Sequence, residues 1–226
     1  MSISSGRKKK AEIRNFLMDR DFNAVLKWAE TDQTPFKTLT SLLFDSDPLI
    51  CWRTIDAFGR VAAVVADRDI KSIRRQLQRF LWLMNDESGG ICWYAPEAIG
   101  EVIYNVPQLT NEYGLILTSF LNEEPFEGGV RWTIARLISR GNLPQELTDA
   151  FQLLIPRIAK SLGSDNPKIR GNALLAMEAL GADAIISDNF ESLKNDTGVI
   201  QVYEFESGTL NNMEIGTLAA GLLKDK

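Results

Sequence analysis

The chain has 226 residues, of which 45% are hydrophobic and 24% are charged, and its formal net charge is −5. This composition is that of a folded protein, and its acidic balance makes nucleic-acid phosphates poor partners. The chain contains no histidine, the usual general base and metal ligand, which excludes Ser-His-Asp and Cys-His catalysis. We therefore expect a protein that is not an enzyme and that carries no metal and no cofactor.

Amphipathic segments separated by short breaks predict an all-α chain. In chain order, the predicted helices cover residues 9–20, 22–30, 36–44, 48–66, 70–84, 91–105, 111–121, 130–140, 144–162 and 167–180. Pro96 falls inside one of them and should kink or restart it. Residues 199–206 are β-branched and aromatic with partial alternation, which predicts a strand or β-hairpin. A closing helix is predicted for residues 213–224.

A short phrase recurs along the chain. Its copies are Ile50-Cys51-Trp52, Ile91-Cys92-Trp93, Val130-Arg131-Trp132 and Ile169-Arg170-Gly171, at steps of 41, 39 and 39 residues. A period of this length predicts a stacked array of helix pairs. We predict one domain over 1–226, with repeats at roughly 9–33, 34–68, 69–108, 109–142 and 144–183. Residues 184–226 would form a cap that covers the apolar flank of the last repeat.

Each phrase opens a helix with one apolar face. Counting the first residue of the phrase as zero, positions 0, 4, 7, 8 and 11 are mostly apolar or small and lie on the same side of a helix. This side is the predicted core. The tryptophan at position 2 and the residue at position 6 point away from it.

Two stretches carry a resemblance to a known family. They are Asp45-Ser46-Asp47-Pro48 with Ile50, Trp52 and Ala57-Phe58-Gly59, and Asp165-Asn166-Pro167-Lys168-Ile169-Arg170 with Ala179-Leu180-Gly181. The pattern resembles the HEAT-like repeats of the phycobilisome-lyase type. The resemblance implies a right-handed α-α superhelix, a HEAT-like solenoid of four to five helix pairs, in which the second helix of each pair lines the concave side.

The candidate binding site is the stripe that would then face this concave side. Its predicted members are Trp52, Arg53, Asp56, Trp93, Tyr94, Glu97, Glu101, Trp132 and Arg136. Three interpretations of the stripe remain open: indole rings that widen the contact between neighbouring repeats, a recognition surface with tryptophan anchors, and a catalytic cleft. The carboxylates are expected to be solvated.

Smaller signals complete the prediction. Cys51 and Cys92 share position 1 of the phrase, and stacked helices about 8–10 Å apart are too distant for a relaxed disulfide, so both should be buried small residues. Paired glycines, Gly89-Gly90 and Gly128-Gly129, precede the middle phrases. They indicate either close packing between repeats or backbone approach to a ligand.

The leading functional hypothesis is a non-catalytic interaction or scaffold module that binds a partner protein or peptide in the aromatic groove. The alternatives are a chromophore-lyase-like enzyme or accessory factor, and a HEAT-like DNA-binding or glycosylase protein. We expect no membrane partner and no nucleic acid. The two cysteines and the absence of a signal peptide lead us to expect a cytoplasmic location.

Overall fold

The computed structural model describes residues 3–31, 35–85 and 90–224. The structure is mostly helical (74%), with a small two-stranded antiparallel sheet near the C-terminal end. The predicted helical class and the predicted C-terminal hairpin are both confirmed at this level. No helix in the described part of the chain is long and apolar enough to cross a membrane.

The elements follow one another with short connections. The helices are α1 (Ile3–Met18), α2 (Phe22–Thr31), α3 (Pro35–Leu42), α4 (Pro48–Met84), α5 (Ala95–Asn105), α6 (Thr110–Thr118), α7 (Glu127–Arg140), α8 (Gln145–Leu153), α9 (Ile155–Lys160), α10 (Pro167–Ala179), α11 (Asp183–Leu193) and α12 (Ile215–Lys224). The strands are β1 (Val199–Glu204) and β2 (Thr209–Glu214). Two compact units contain these elements.

The first unit comprises Met1–Pro107 and Phe205–Thr209. Its core includes three aromatic rings in a row: Phe58 stacks on Phe36 at a centroid distance of 5.9 Å and meets Phe80 edge-on at 5.1 Å. Phe58 and Phe80 lie in the two halves of α4, which bends at Asp69 (φ −150°, ψ 73°). The two helices predicted at 48–66 and 70–84 are therefore the two halves of α4.

The second unit comprises Gln108–Glu204 and Leu210–Lys226. Helix α10 lies at its centre and packs against α7, α9, α11, α12 and strand β1. On the side of β1, Ile200 lies directly over Gly171, where an added Cβ would come within 2.5 Å of the Ile200 side chain. Strand β1 therefore lies against the phrase position that holds tryptophan in the other three copies.

Two helices, α4 and α10, begin at the residues predicted for them, Pro48 and Pro167. Asp47 caps α4 by accepting a hydrogen bond from the Leu49 amide at 2.9 Å, and Asn166 caps α10 in the same way through the Lys168 amide at 2.9 Å. Each cap is followed by a proline at the start of the helix. Proline suits this position because the amide it lacks would have no partner within the helix.

Three helix predictions were wrong. Helix α5 begins at Ala95 rather than 91, so Pro96 lies in its first turn and marks the start of the helix instead of a kink. The helix predicted at 144–162 is divided at Leu154, before Pro156, which cannot continue the hydrogen-bond ladder of α8. Residues 183–193, for which no helix was predicted, form the additional helix α11.

The predicted core face is largely buried. Ile50, Ala57 and Phe58 in the first phrase have no exposed surface, and Ala173, Ala176 and Met177 in the fourth have none either. The exceptions are Ile91, Ile138 and Ile169, which are half-buried, and Gly141, which is exposed. Ile91 lies before the start of α5, so helical periodicity does not govern its direction.

The second of the paired glycine motifs lies at a close helix contact. A Cβ on Gly128 would approach the side chain of Lys168 to 3.0 Å, and the Gly128 carbonyl accepts a hydrogen bond from Asn172 Nδ2 at 3.0 Å. Both partners belong to α10, so the missing side chain lets α7 pack closely on α10. In the first motif, Gly89 lies outside the described residues.

Candidate functional site

Trp52 is a packing residue within the first unit. Its side chain is buried, with 4% of the residue exposed, and its ring meets Tyr94 edge-on at a centroid distance of 6.1 Å. Tyr94 is half-buried, and burial raises the pKa of its hydroxyl, with nearby Cys51 and Glu97 acting in the same direction. At Trp52 the structure therefore agrees with the packing interpretation of the stripe.

The three predicted carboxylates are buried instead of solvated. Asp56, Glu97 and Glu101 each expose 2% or less. Asp56 Oδ1 accepts a hydrogen bond of 2.6 Å from Arg60 Nε, and Glu101 Oε1 accepts one of 2.9 Å from Asn105 Nδ2. A buried carboxylate is costly unless it is hydrogen-bonded or ion-paired, and these two have such partners.

Gly59 explains why this face is covered. It lies on α4 opposite α5, where an added Cβ would come within 2.8 Å of Glu101 Cγ and would also touch Asn105 Nδ2. Because Gly59 has no side chain, α5 approaches α4 at this point and covers Glu101. Our expectation of a solvated face overlooked this contact.

Arg53 connects three segments of the first unit. Its Nη1 donates to the carbonyls of Leu17 (2.9 Å) and Met18 (2.5 Å), at the end of α1. Its Nε and Nη2 donate to the carbonyl of Gly208, at 3.2 and 3.0 Å. These hydrogen bonds tie the end of α1 and the hairpin turn at Gly208 to α4, so Arg53 has a structural role here.

Trp93 differs from the other residues of the stripe. It exposes 66% of its surface, although Cys92 and Ala95 on either side are fully buried. The ring precedes α5, so it is carried on a short segment whose neighbours are packed in the core. An exposed indole held in this way is suited to act as an anchor in a protein interface.

The two remaining stripe residues belong to the second unit. Trp132 and Arg136 are both half-buried on α7. Their spacing of four residues places them one turn apart on the same face.

Both thiols are buried and shielded. Cys51 Sγ lies 3.3 Å from the Asp45 carbonyl, and burial raises its pKa to about 11. Burial also raises the pKa of Cys92, to about 12. A nucleophilic cysteine needs a lowered pKa and access to solvent, so neither thiol is suited to covalent chemistry.

Among the described residues no group of three or more Cys, Asp and Glu side chains is arranged to hold a metal ion.

Sequence reasoning missed the importance of position 1 of the phrase in the second unit. Cysteine occupies this position twice, and we predicted it to be buried for that reason. Arginine occupies it in the next two copies, as Arg131 and Arg170. Arg131 exposes only 2% of its surface. Comparing the four copies would have placed a buried cation at this position.

Comparisons with protein-family models, with curated proteins and with solved structures found no match to this chain.

Proposed function

We propose that this chain is a HEAT-like repeat protein of the cytoplasm that binds a partner protein or peptide without catalysing a reaction. The proposal has two parts: a stacked array of helix pairs, and a recognition surface on that array. The first part is supported by a repeated contact, and the second by the exposure of Trp93.

The repeated contact involves position 1 of the phrase. In three copies this side chain bonds to a carbonyl in the connection before its own helix: Cys51 to Asp45, Arg131 to Leu121 and Arg170 to Ser164. Recurrence of one contact at one phrase position is what repeated helix pairs would produce. It supports repeated helix pairs, and the resemblance seen in the sequence implies that four to five such pairs form a right-handed superhelix.

The hairpin fits the same proposal. Arrays need their last repeat covered, because its outer face would otherwise expose apolar surface. Ile200 on Gly171 supplies such a cover, and glycine at this position of the fourth phrase makes room for it. The tryptophan is therefore absent from the copy that we propose to be the last.

Trp93 carries the binding proposal. Tryptophan is enriched among the residues that dominate binding energy in protein interfaces, and burying a large exposed ring against a partner is favourable. The alternatives have less support. A lyase that acts through a cysteine would need a reactive thiol, and the acidic chain lacks the charge that binding to DNA requires.

The proposal is tested by capture with three baits: the wild-type chain, Trp93→Ala and Trp82→Ala. Trp82 is a matched control, because it is also a tryptophan of the first unit and is 62% exposed. Proteins retained from a native extract are compared by quantitative mass spectrometry. We expect a protein that the wild type and Trp82→Ala enrich and that Trp93→Ala loses.

Thermal unfolding of the three baits shows whether the variants are folded. Equal retention of the same proteins by all three folded baits would contradict the proposed role of Trp93. Loss of capture by Trp82→Ala and not by Trp93→Ala would move the surface to the end of α4.

A further inference from the structure

Arg131 is a buried cation whose hydrogen-bond partners are all neutral. Its Nη1 donates to the carbonyls of Leu121 and Glu127, at 2.7 and 2.8 Å, and its Nη2 donates to Ser161 Oγ. A guanidinium has five N–H donors, so these three bonds leave two, and the buried Nε is without a partner. The positive charge of this group has no hydrogen-bonded carboxylate to balance it.

Arg170 shows how the same phrase position is neutralised in the next copy. Its Nε and Nη2 bind the two carboxylate oxygens of Asp196, at 2.7 and 2.8 Å. The pair is therefore bidentate, the geometry that suits a guanidinium and an oxyanion. Arg131, although more deeply buried, has no such partner. Burial of an unbalanced charge is unfavourable, and a bound anion would relieve it.

Arg131 remains charged at neutral pH. Burial lowers its pKa to about 10, with Arg157 acting in the same direction and Glu127 opposing it. The group is thus protonated throughout the physiological range. It cannot escape the cost of burial by losing its proton.

A partly open cavity of about 410 Å³ adjoins Arg131. Its polar lining is mostly cationic or hydrogen-bond donating, and includes Arg131, Arg157, Lys160, Ser161, Ser164 and Glu127. Arg157 and Lys160 are exposed and lie three residues apart on α9, so they share one face of that helix. Three cations against one carboxylate form a locally positive site on an acidic protein.

We propose that this cavity binds an oxyanion of the phosphate type, with Arg131 at its base and Arg157 and Lys160 at its rim. Arg131 supplies a guanidinium whose orientation is fixed by carbonyls, and a fixed guanidinium is well suited to a tetrahedral oxyanion. The serine hydroxyls add neutral donors beside it. The exposed rim cations complete the charge balance from the solvent side.

Inorganic phosphate is the first probe, titrated into the full chain by isothermal calorimetry and by amide NMR at constant ionic strength set with chloride. O-phosphoserine is the second, because it distinguishes a site for the free ion from one that also accepts a phosphomonoester. We expect saturable binding, with amide shifts concentrated in residues 157–164 and around Arg131.

The main variant carries Arg157→Gln and Lys160→Gln together, because both side chains are exposed and their loss leaves the core intact. We expect it to weaken phosphate binding by about tenfold or more. Lys194→Gln is the control, since it removes an exposed lysine of the same unit outside the cavity. Arg131→Lys keeps the positive charge but loses the planar guanidinium that can bind two oxygen atoms at once. We expect this variant to bind phosphate more weakly and to remain folded, as measured by circular dichroism.

Three results would overturn the proposal. They are the absence of saturable binding of either probe to the wild type, equal affinity of the wild type and the double variant, and an equal loss in Lys194→Gln. The last would show that phosphate responds only to net charge. None of these results bears on partner capture through Trp93.

Discussion

The side chain at position 1 of the phrase is a cysteine in the first unit and an arginine in the second. Its contact with a backbone carbonyl is nevertheless repeated. Cys51 in the first unit and Arg131 and Arg170 in the second each reach back to a carbonyl of the preceding connection. A cysteine at this position is a small, buried side chain without a charge. An arginine at the same position is charged and needs an anion to balance it. For Arg170 this anion is Asp196, and for Arg131 it is the oxyanion that we propose.

The thiols allow a direct test at the residue scale. Because burial raises the pKa of Cys51 to about 11 from an ordinary value of 9.0, its thiolate fraction at pH 8 falls by about a hundredfold. We expect both thiols of the native chain to react with Ellman's reagent at least that much more slowly than those of the chain unfolded in guanidinium. A thiol that reacts at the unfolded rate in the native chain would contradict this burial and reopen the enzymatic hypothesis.

The Arg170–Asp196 pair makes a prediction about pH. The hydrogen bonds from Arg170 hold the pKa of Asp196 below its ordinary value of 3.8. A lowered pKa in the folded state means that the pair stabilises the fold above the unfolded pKa and that this stabilisation is lost as the pH falls through the folded value. Asp196→Asn should therefore cost about 1–3 kcal/mol of unfolding free energy at pH 7, and the difference from the wild type should shrink below about pH 4.

Urea unfolding at pH 7 and near pH 3 measures this difference. Asp165→Asn, which alters an exposed carboxylate of the same unit, should change stability at pH 7 by no more than about 0.5 kcal/mol. A gap between the wild type and Asp196→Asn that stays constant across the pH range would show that the pair is not the source of the stability.

At the scale of elements, the approach of α5 to α4 determines which side chains remain accessible. The start of α5 at Ala95 leaves Trp93 outside the helix, whereas Trp52 lies inside α4 and is packed against Tyr94. Of these two tryptophans at the same phrase position, Trp52 is therefore buried and Trp93 is exposed. The difference depends on where each helix begins, and the proline at position 96 was the sequence signal for that boundary.

Gly59 provides the test of this contact. A methyl group there would meet Glu101 Cγ at 2.8 Å and the Glu101 main-chain oxygen at 3.0 Å. We expect Gly59→Ala to lower the unfolding free energy by about 1–3 kcal/mol, because the two helices must move apart. Denaturant unfolding monitored by circular dichroism measures it.

Gly221→Ala is the matched control. It makes the same change in α12, where the added Cβ has nothing within 4 Å. Alanine is the better helix former, so the control should gain between zero and about 1 kcal/mol. Equal effects of the two substitutions, or stabilisation by Gly59→Ala, would contradict the close approach of α4 and α5.

The scale of the whole chain is where sequence was most informative. Amphipathic segments separated by short breaks predicted the helical class, and the β-branched segment after residue 199 predicted the hairpin. Most of the residues at positions 0, 4, 7, 8 and 11 are also buried, as this face predicted. These features depend on local periodicity and local start signals, which a single sequence carries.

Contacts between elements were harder to predict. The burial of Glu97 and Glu101 depends on how α5 packs against α4, and Ile200 fits onto Gly171 because the hairpin folds back across α10. Such pairings join residues that are distant in sequence, and helical periodicity says nothing about them. The structure therefore revised the predicted site more than the predicted fold. Of the stripe of nine residues, one exposed tryptophan remains as the candidate site.

The proposal of partner recognition depends most on Trp93. The most direct measurement is the affinity of the wild type, Trp93→Ala and Trp82→Ala for one purified protein identified by capture, measured by isothermal calorimetry. Recognition through Trp93 predicts that Trp93→Ala weakens binding by about thirtyfold, the loss of about 2 kcal/mol typical of an interface anchor, while Trp82→Ala binds within about twofold of the wild type. Equal affinities of the wild type and a folded Trp93→Ala variant would contradict it.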